Sequence, residues 1–295
     1  MHPIAKHVGK LYCNFKVQKE HIVNKAPPEI PIVSAWGSIT ENIGKFVQHH
    51  LDPLAKEHKS YIEDTPDLLR QIEDLNKGEI LLPNSNLFTC DVIGLFTNIT
   101  QEDGIEAATE ALEERKIKEV PTQFITRLLE LVLQYNIFEH DSTLYRQQIG
   151  TSMGSKPAPD FSNIFMARRI DNEIRKIARK YTKGNVSLKL FKRFLDDILA
   201  IFIGSTKSLH KFIQEINKIH PAIKLTMSHT SIPGEAKDSR CSCQEKQSIP
   251  YLDTSLSIKH GKISVDLYKN LQTDTKTCYQ AHATQTKPHK TLHSP

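Results

Sequence analysis

Two adjacent carboxylates, Asp196 and Asp197, lie between two runs of large apolar residues in the stretch LKLFKRFLDDILAIF, residues 188–202. Burying an unpaired carboxylate is costly, or shifts its pKa until the group is neutral. Two interpretations are open. Asp is common in tight turns between strands, where two solvated carboxylates cost little. Alternatively, the turn presents both carboxylates to divalent cations. The rest of the chain has to separate a simple turn from a metal site.

A third carboxylate, Asp91, is the single charge in NLFTCDVIGLF, residues 86–96, a segment rich in Phe, Val, Ile and Leu. This composition predicts a buried central strand. Three carboxylates from two neighbouring strands suit a pair of divalent metals about 3.5 to 4 Å apart, one activating a 3′-hydroxyl and the other neutralising a leaving pyrophosphate. Mg²⁺ prefers such oxygen ligands, and Mn²⁺ is a possible substitute.

Positive charge is concentrated just before the paired aspartates. Residues 168–193 contain ten Lys or Arg and two acids, in a chain whose net charge is only +5. The ten are Arg168, Arg169, Arg175, Lys176, Arg179, Lys180, Lys183, Lys189, Lys192 and Arg193. A basic helix face is often simply solvated, but beside a candidate metal site it predicts contacts with a phosphate backbone.

The composition excludes several classes of protein. The chain has 295 residues, enough for one large domain or two smaller ones, and it has no apolar run near the ~20 residues of a membrane span. The N-terminal sequence lacks the apolar region of a secretory signal, which predicts an intracellular protein, nuclear or cytoplasmic. Five irregularly spaced cysteines argue against a disulfide scaffold.

Hydrophobic periodicity predicts a mixed α+β fold. A Pro-rich extended piece precedes the first helices, and Gly/Pro-punctuated residues 150–159 form a loop. The predicted helices cover residues 39–59, 66–75, 100–116, 122–135, 159–181 and 205–219. The predicted strands cover residues 86–96, 198–203 and 222–229, with hairpins turning at residues 140–142 and 260–261.

Four segments resemble, in chain order, the successive motifs of reverse transcriptases, and most closely those of Penelope-like retroelements. They are FTCDVIGLFTNIT, QQIGTSMGSKPAPDFSNIFM, FKRFLDDILAIF and IPYLDTSLSIKHGKISVDLYK, and the match runs from about residue 9 to 274. The resemblance implies a right-hand polymerase with palm and fingers, in which helices cover an antiparallel palm sheet. It further implies an RNA-directed DNA polymerase that uses two Mg²⁺ ions, an RNA template, a DNA primer and dNTPs. A membrane is not among the expected partners.

The resemblance also assigns roles to residues. Asp91 and Asp196 are the implied metal ligands, with Asp197 as a supporting carboxylate. Phe96, five residues after Asp91, would exclude a ribose 2′-hydroxyl, and the alternative is a core Phe in a strand. The implied nucleotide-binding residues are Phe96, Gly150, Met153, Gly154, Lys16 and Lys19, and those expected on nucleic acid are Arg175, Lys176, Arg179, Lys180, Lys192 and Arg193.

The expected division of the chain follows the motifs. Residues 1–85 are a fingers-like segment, 86–232 the palm, 233–272 a polar insert with a primer-grip-like hairpin, and 273–295 a disordered tail or truncated thumb. Two departures keep a second interpretation open. Ile30 stands where the family usually has Arg, and NLQTD replaces the usual K-P-T-D. The alternative is a nucleic-acid-binding remnant of such an element with little or no turnover.

Overall fold

The computed structural model describes residues 8–15, 29–78, 80–181, 188–230 and 244–268. These residues form helices and three sheets in a mixed α+β arrangement, as the sequence predicts, and most strand pairs are antiparallel. Lys16, Lys19, much of the polar insert and the residues after 268 lie outside the described ranges.

A five-stranded sheet carries the candidate site. Its strands, in spatial order, are β6 (Leu188–Phe194), β7 (Asp197–Ile203), β3 (Ser85–Val92), β8 (Leu225–Thr230) and β9 (Gln244–Lys246). The strand that ends near Asp91 is therefore central, as predicted, and it pairs antiparallel with β7 and β8. It ends at Val92 and not at Phe96, because Gly94 adopts a φ of 58° and opens a short helix, α3 (Leu95–Asn98).

Helices cover one face of this sheet. They are α1 (Glu41–Lys56), α4 (Gln101–Glu113), α5 (Thr122–Gln134), α6 (Ala158–Phe165), α7 (Asn172–Lys180) and α8 (Thr206–Ile216). Phe88 and Cys90 of β3 and Ala200 of β7 pack with them in the larger apolar core. The predicted helices are thus confirmed, with ends that differ by a few residues.

Between α6 and α7 the chain forms a π-helical turn, Met166–Asp171. The apolar periodicity predicts one uninterrupted helix over residues 159–181 and gives no sign of the extra residue that a π-turn holds. The turn places Asp171 inside the protein, where the whole residue is only 2% exposed.

The opposite face of the sheet is only partly covered. It contacts α2 (Thr65–Lys77) and a three-stranded antiparallel sheet of β10 (Ile249–Tyr251), β11 (Thr254–Lys259) and β12 (Lys262–Leu267). Leu87, Leu199 and Ile201 belong to this second core. The hairpin predicted at His260 and Gly261 is β11–β12.

A separate four-stranded sheet has the order β2 (Glu29–Ser34), β1 (Gly9–Phe15), β4 (Ile137–His140) and β5 (Thr143–Arg146). The β4–β5 hairpin confirms the predicted turn, with Asp141 and Ser142 at positive φ. The sheet draws strands from both the predicted 1–85 and 86–232 segments. Within the described ranges, no helix has the length and apolar character needed to cross a bilayer.

Candidate active site

Asp91 and Asp197 lie directly opposite each other on the neighbouring strands β3 and β7. Opposed residues of an antiparallel pair point to the same face of the sheet, with Cβ atoms about 4.5 to 5.5 Å apart. Asp91 is exposed and Asp197 is half-buried. The fold therefore brings together two carboxylates that are far apart in the sequence.

Asp196 lies in the two-residue turn between β6 and β7. The backbone N–H of Val92 donates to the carbonyl of Asp196 at 3.0 Å, so the turn is bonded to the strand that carries Asp91. Leu195, the other turn residue, has a φ of 52°. A bulky residue in the left-handed region is strained, and such strain is concentrated at functional sites.

A pocket of about 170 Å³ opens beside the two opposed carboxylates, on the face that the helices do not cover. Asp91 and Asp197 line it together with the hydroxyls of Thr89, Thr226 and Ser228, while Cys90, Pro250, Tyr251 and Leu252 complete the wall. The carboxylate and hydroxyl residues among these carry oxygen donors, which Mg²⁺ prefers.

Metal binding by these residues would depend on ligands from outside the chain. In the part of the chain that the structure describes, no group of three or more His, Cys, Asp and Glu side chains is arranged to hold a metal ion. Mg²⁺ in enzymes is usually bound through one or two carboxylates plus substrate phosphates and water. The opposed Asp91 and Asp197 fit that incomplete protein site, and the assignment of Asp91, Asp196 and Asp197 as ligands stays a prediction.

Tyr251 holds the turn from the pocket face, a role that the sequence does not predict. Its hydroxyl donates to the carbonyl of Asp197 at 2.9 Å and accepts the backbone N–H of Phe194 at 3.2 Å. Burial, and secondarily the nearby Asp197, raise the pKa of this phenol, so it remains a donor at neutral pH. The tyrosine lies 54 residues from Asp197 in sequence, and no local pattern marks it.

The prediction that Arg193 contacts nucleic acid is wrong, because its side chain is only 1% exposed. It forms an ion pair with Asp171 at 3.1 Å, donates to Asn163 at 2.7 Å and donates to the carbonyl of Leu195 at 2.9 Å. Arg193 and Phe191 lie on the same face of β6, toward the helices, and the π-helical turn supplies the carboxylate that compensates the buried charge. Arg193 thus supports the carboxylate turn from the helical face of the sheet.

Lys192, the preceding residue, is half-buried, and its Nζ donates to the carbonyl of Lys59 at 2.8 Å. Burial lowers its pKa. A phosphate contact by Lys192 would have to compete with this intramolecular bond, and the contact stays a prediction.

Six of the other basic residues divide into two groups. Arg168 and Arg169 bond to Glu110 of α4, and Arg168 also bonds to Glu114 at its C-terminal end, so both arginines fasten the helices to each other. On α7, Arg175 lies 5.1 Å from the centre of the Phe191 ring and Lys176 bonds to Glu173 at 2.6 Å. Arg179 and Lys180 are exposed at the end of the helix. Because α7 packs in the helical layer, this basic surface is not part of the pocket.

The predicted nucleotide-binding loop packs against Phe96. The N–H of Thr151 donates to the carbonyl of Phe96 at 2.7 Å, and a Cβ on Gly150 would come within 2.4 Å of that oxygen. Gly154 forms a bridge with Ser34 of β2, where a Cβ would come within 2.1 Å of the Val33 carbonyl. Both predicted glycines are therefore required by close backbone contacts.

Phe96 and Met153 are each half-buried. Phe96 lies in α3 and not in a strand, so the alternative of a core Phe within a strand is wrong. The loop joins the end of the five-stranded sheet to the four-stranded sheet, which places Phe96 and residues 150–154 together. Binding of a nucleotide by these residues stays a prediction, as does the role of Lys16 and Lys19.

Comparison with known proteins gives the fold. No protein-family model matches the chain, and no curated protein sequence matches it. Solved structures do match. Apo telomerase from Candida tropicalis superposes with a TM-score of 0.61 at 13% identity, over 90% of this chain and 48% of the telomerase chain. Telomerase from Candida albicans in complex with a fragment of telomeric RNA gives 0.60 at 12% identity, over 94% and 50%.

A viral enzyme belongs to the same set. The RNA-dependent RNA polymerase of BmCPV gives a TM-score of 0.52 at 12% identity, over 86% of this chain and 22% of the viral chain. This chain has the fold that these polymerases share. It is similar to telomerase and to viral RNA-dependent polymerases, and it spans about half the length of the telomerases that it matches.

Proposed function

We propose that this chain is the palm and fingers part of an RNA-directed DNA polymerase of a retroelement, most like those of Penelope-like elements. One observation carries the proposal. Asp91 and Asp197 are opposed in register at the open end of a central sheet, next to the turn that holds Asp196. A polymerase fold with carboxylates at this place is suited to transferring a nucleotide to a primer 3′-hydroxyl.

The residues that would hold two Mg²⁺ ions are Asp91, Asp196 and Asp197. When bound, the ions supply positive charge at the attacking and leaving oxygens of the phosphoryl transfer. The β3–β7 pairing sets Asp91 opposite Asp197, and the bond from Val92 fixes the backbone of Asp196 beside them. The adjacent pocket offers space for the end of a primer, between the carboxylates and β10.

The incoming nucleotide is proposed to lie against Phe96 and the loop of residues 150–154. Gly150 and Gly154 bring the backbone of this loop close to α3 and β2, and their lack of a Cβ keeps that approach possible. Phe96 is half-exposed in α3, four residues after the end of β3, and its ring is proposed to exclude a 2′-hydroxyl. This exclusion is the basis for proposing dNTPs and a DNA product.

A second candidate function is a nucleic-acid-binding remnant with little or no catalysis. Ile30 favours it, because this residue of β2 replaces an Arg that could bind phosphate or template. The remnant would keep the polymerase fold and bind a template–primer duplex without extending it.

Primer extension separates the two functions. The chain is incubated with poly(rA)/oligo(dT), dTTP and Mg²⁺, and duplex binding is measured in parallel by fluorescence anisotropy. We expect template-dependent extension of the primer. Binding without extension, with either Mg²⁺ or Mn²⁺, would establish the remnant, and absence of both would contradict a nucleic-acid function.

A further inference from the structure

We infer that Tyr251 and Arg193 are a pair of positioning residues that hold the carboxylate turn from the two faces of the sheet. The inference rests on the proposed function and extends it from the carboxylates to two residues that support them. The turn is Leu195 and Asp196, between β6 and β7. Its position sets the distance between the carboxylates of Asp196 and Asp197 and that of Asp91.

The turn requires external support, because its own conformation is unfavourable. Leu195 has a φ of 52°, a strained conformation for a branched apolar residue. The two opposed carboxylates add repulsion between like charges across the β3–β7 pair. Local backbone preference therefore acts against the turn, and electrostatic repulsion acts against the strand pairing beside it. A strained conformation persists only where the surroundings determine it.

Tyr251 bonds to both strands that enter and leave the turn. Its hydroxyl accepts from Phe194, the last residue of β6, and donates to the carbonyl of Asp197, the first residue of β7. The side chain is 3% exposed, so these two bonds are shielded from water. A single hydroxyl thus fixes the base of the turn on the pocket face.

Arg193 bonds to the tip of the turn from the helical face. One guanidinium nitrogen, Nη1, donates to the Leu195 carbonyl at 2.9 Å and to Asn163 at 2.7 Å, while Nε and Nη2 face Asp171. Ser60 also donates to Asp171 at 2.6 Å, which keeps the carboxylate in place. The turn is therefore connected, through a rigid planar group, to α6 and the π-helical turn.

The test uses variants that keep the buried shape. Tyr251→Phe removes only the hydroxyl, and Thr254→Val is its matched control, because Thr254 donates a buried hydroxyl to the Tyr251 carbonyl without touching the turn. Arg193→Lys keeps a positive charge beside Asp171 but cannot serve Asp171, Asn163 and Leu195 together. Removing the charge is avoided, since it would leave Asp171 buried and unpaired.

Two measurements report on the turn. In primer extension with Mg²⁺, Tyr251→Phe is expected to lower kcat by about 10- to 100-fold, the usual effect of losing a support behind a metal ligand, with KM for dTTP unchanged. Arg193→Lys is expected to act in the same direction. Amide hydrogen exchange of Val92, which bonds to the Asp196 carbonyl and not to Tyr251, should accelerate in both variants. Thr254→Val should leave kcat and Val92 exchange unchanged.

The outcomes separate this inference from the proposed function. If Tyr251→Phe has the same kcat and the same Val92 exchange rate as Thr254→Val, the positioning role of Tyr251 is overturned. If the wild-type chain extends no primer, the exchange measurement still decides. Faster exchange at Val92 in Tyr251→Phe would then support the positioning role while the polymerase proposal fails, and unchanged exchange would overturn the positioning role as well.

Discussion

The two faces of the five-stranded sheet treat charge in opposite ways. On the helical face, Arg193 and Asp171 are buried as an ion pair whose side chains are 1% and 3% exposed. On the pocket face, Asp91 and Asp197 lie side by side with the same sign of charge, and Asp91 is open to solvent. One arrangement compensates its charges, and the other places like charges together.

The difference shows which charges serve the fold. A buried pair must be compensated, because an isolated charge in the interior is very costly. Opposed carboxylates gain nothing for folding, since like charges across a strand pair destabilise the sheet. Their placement is therefore better explained by an external cation or substrate than by stability. Predictions that change one face at a time can test this contrast.

The largest effect is expected from the pocket face. Asp91→Asn should lower primer extension by more than about 100-fold, because it removes charge from the predicted metal site. Asp196→Asn should do the same, and Asp197→Asn should have a smaller effect. At the same time Asp91→Asn should raise the free energy of unfolding by about 0.2 to 1 kcal/mol, since it relieves repulsion with Asp197.

Steady-state extension and urea unfolding measure the two effects of Asp91→Asn. Asp266→Asn is the control, because Asp266 is an exposed carboxylate on β12. Near-normal extension by Asp91→Asn would contradict the metal assignment. A fall in stability would contradict the view that the pocket face is arranged for function at some cost to folding.

A second effect is expected in the helical layer, at Asp160 of α6. This side chain is 7% exposed, and burial, with the nearby Asp52, raises its pKa to about 6. Between the ordinary pKa of 3.8 and about 6, the folded state binds more protons than the unfolded state. The contribution of Asp160 to stability therefore falls as the pH rises through this window.

Asp160→Asn should remove that penalty. At pH 7 the variant is expected to be more stable than the wild type by about 2 kcal/mol, a difference that disappears below about pH 4. Urea unfolding at several pH values measures it. Asp74→Asn, which changes an acid whose side chain is 77% exposed, is the control. If the stability difference between Asp160→Asn and the wild type does not depend on pH, ionising Asp160 costs the folded protein no stability.

Much of the fold could be predicted because its signals are local. The periodicity of the helices, the strand around Asp91 and the hairpin turns all depend on residues close in sequence. The carboxylates were found for the same reason: Asp196 and Asp197 interrupt a long apolar run. The strand end was missed, although Gly94 is a local signal that could have located it.

The supporting residues could not be found in this way. Arg193 is separated from Asp171 by 22 positions and Tyr251 from Asp197 by 54, so their contacts exist only after the sheet and helices pack. Alternation along β6 could not decide which side Arg193 faces, because apolar cores lie on both faces of the sheet. The run of basic residues predicted one exposed surface that binds nucleic acid. The fold instead buries Arg193 of this run in an ion pair with Asp171.

A smaller effect is expected at Phe96 of α3, the residue proposed to select deoxyribonucleotides over ribonucleotides. Phe96→Ala should open space beside the sugar and raise the incorporation of UTP relative to dTTP by about tenfold, within the range for a change of pocket shape. Its measurement is competition between the two nucleotides. Phe124→Ala truncates a half-exposed ring of α5 as the control. An unchanged UTP/dTTP ratio would remove Phe96 from the nucleotide site.

The smallest effect is expected from the outer surface of the helical layer. Replacing Arg175, Lys176, Arg179 and Lys180 of α7 by Gln should weaken the salt dependence of nucleic-acid binding, because each phosphate contact contributes about 0.9 to the slope of log K against log salt. We expect a fall in slope of about 1 to 2, less than four contacts would give, because Arg175 and Lys176 already have partners in Phe191 and Glu173.

The control for α7 carries the same change of charge. Lys45, Lys56, Lys77 and Lys118 lie in exposed ion pairs elsewhere on the protein, and changing all four to Gln also removes four positive charges. If binding responds only to net charge, both quadruple variants lower the slope equally. If α7 contacts the phosphate backbone, its variant alone lowers the slope by 1 to 2. An unchanged slope would mean that α7 is solvated, and that the helical face contributes to the fold and not to binding.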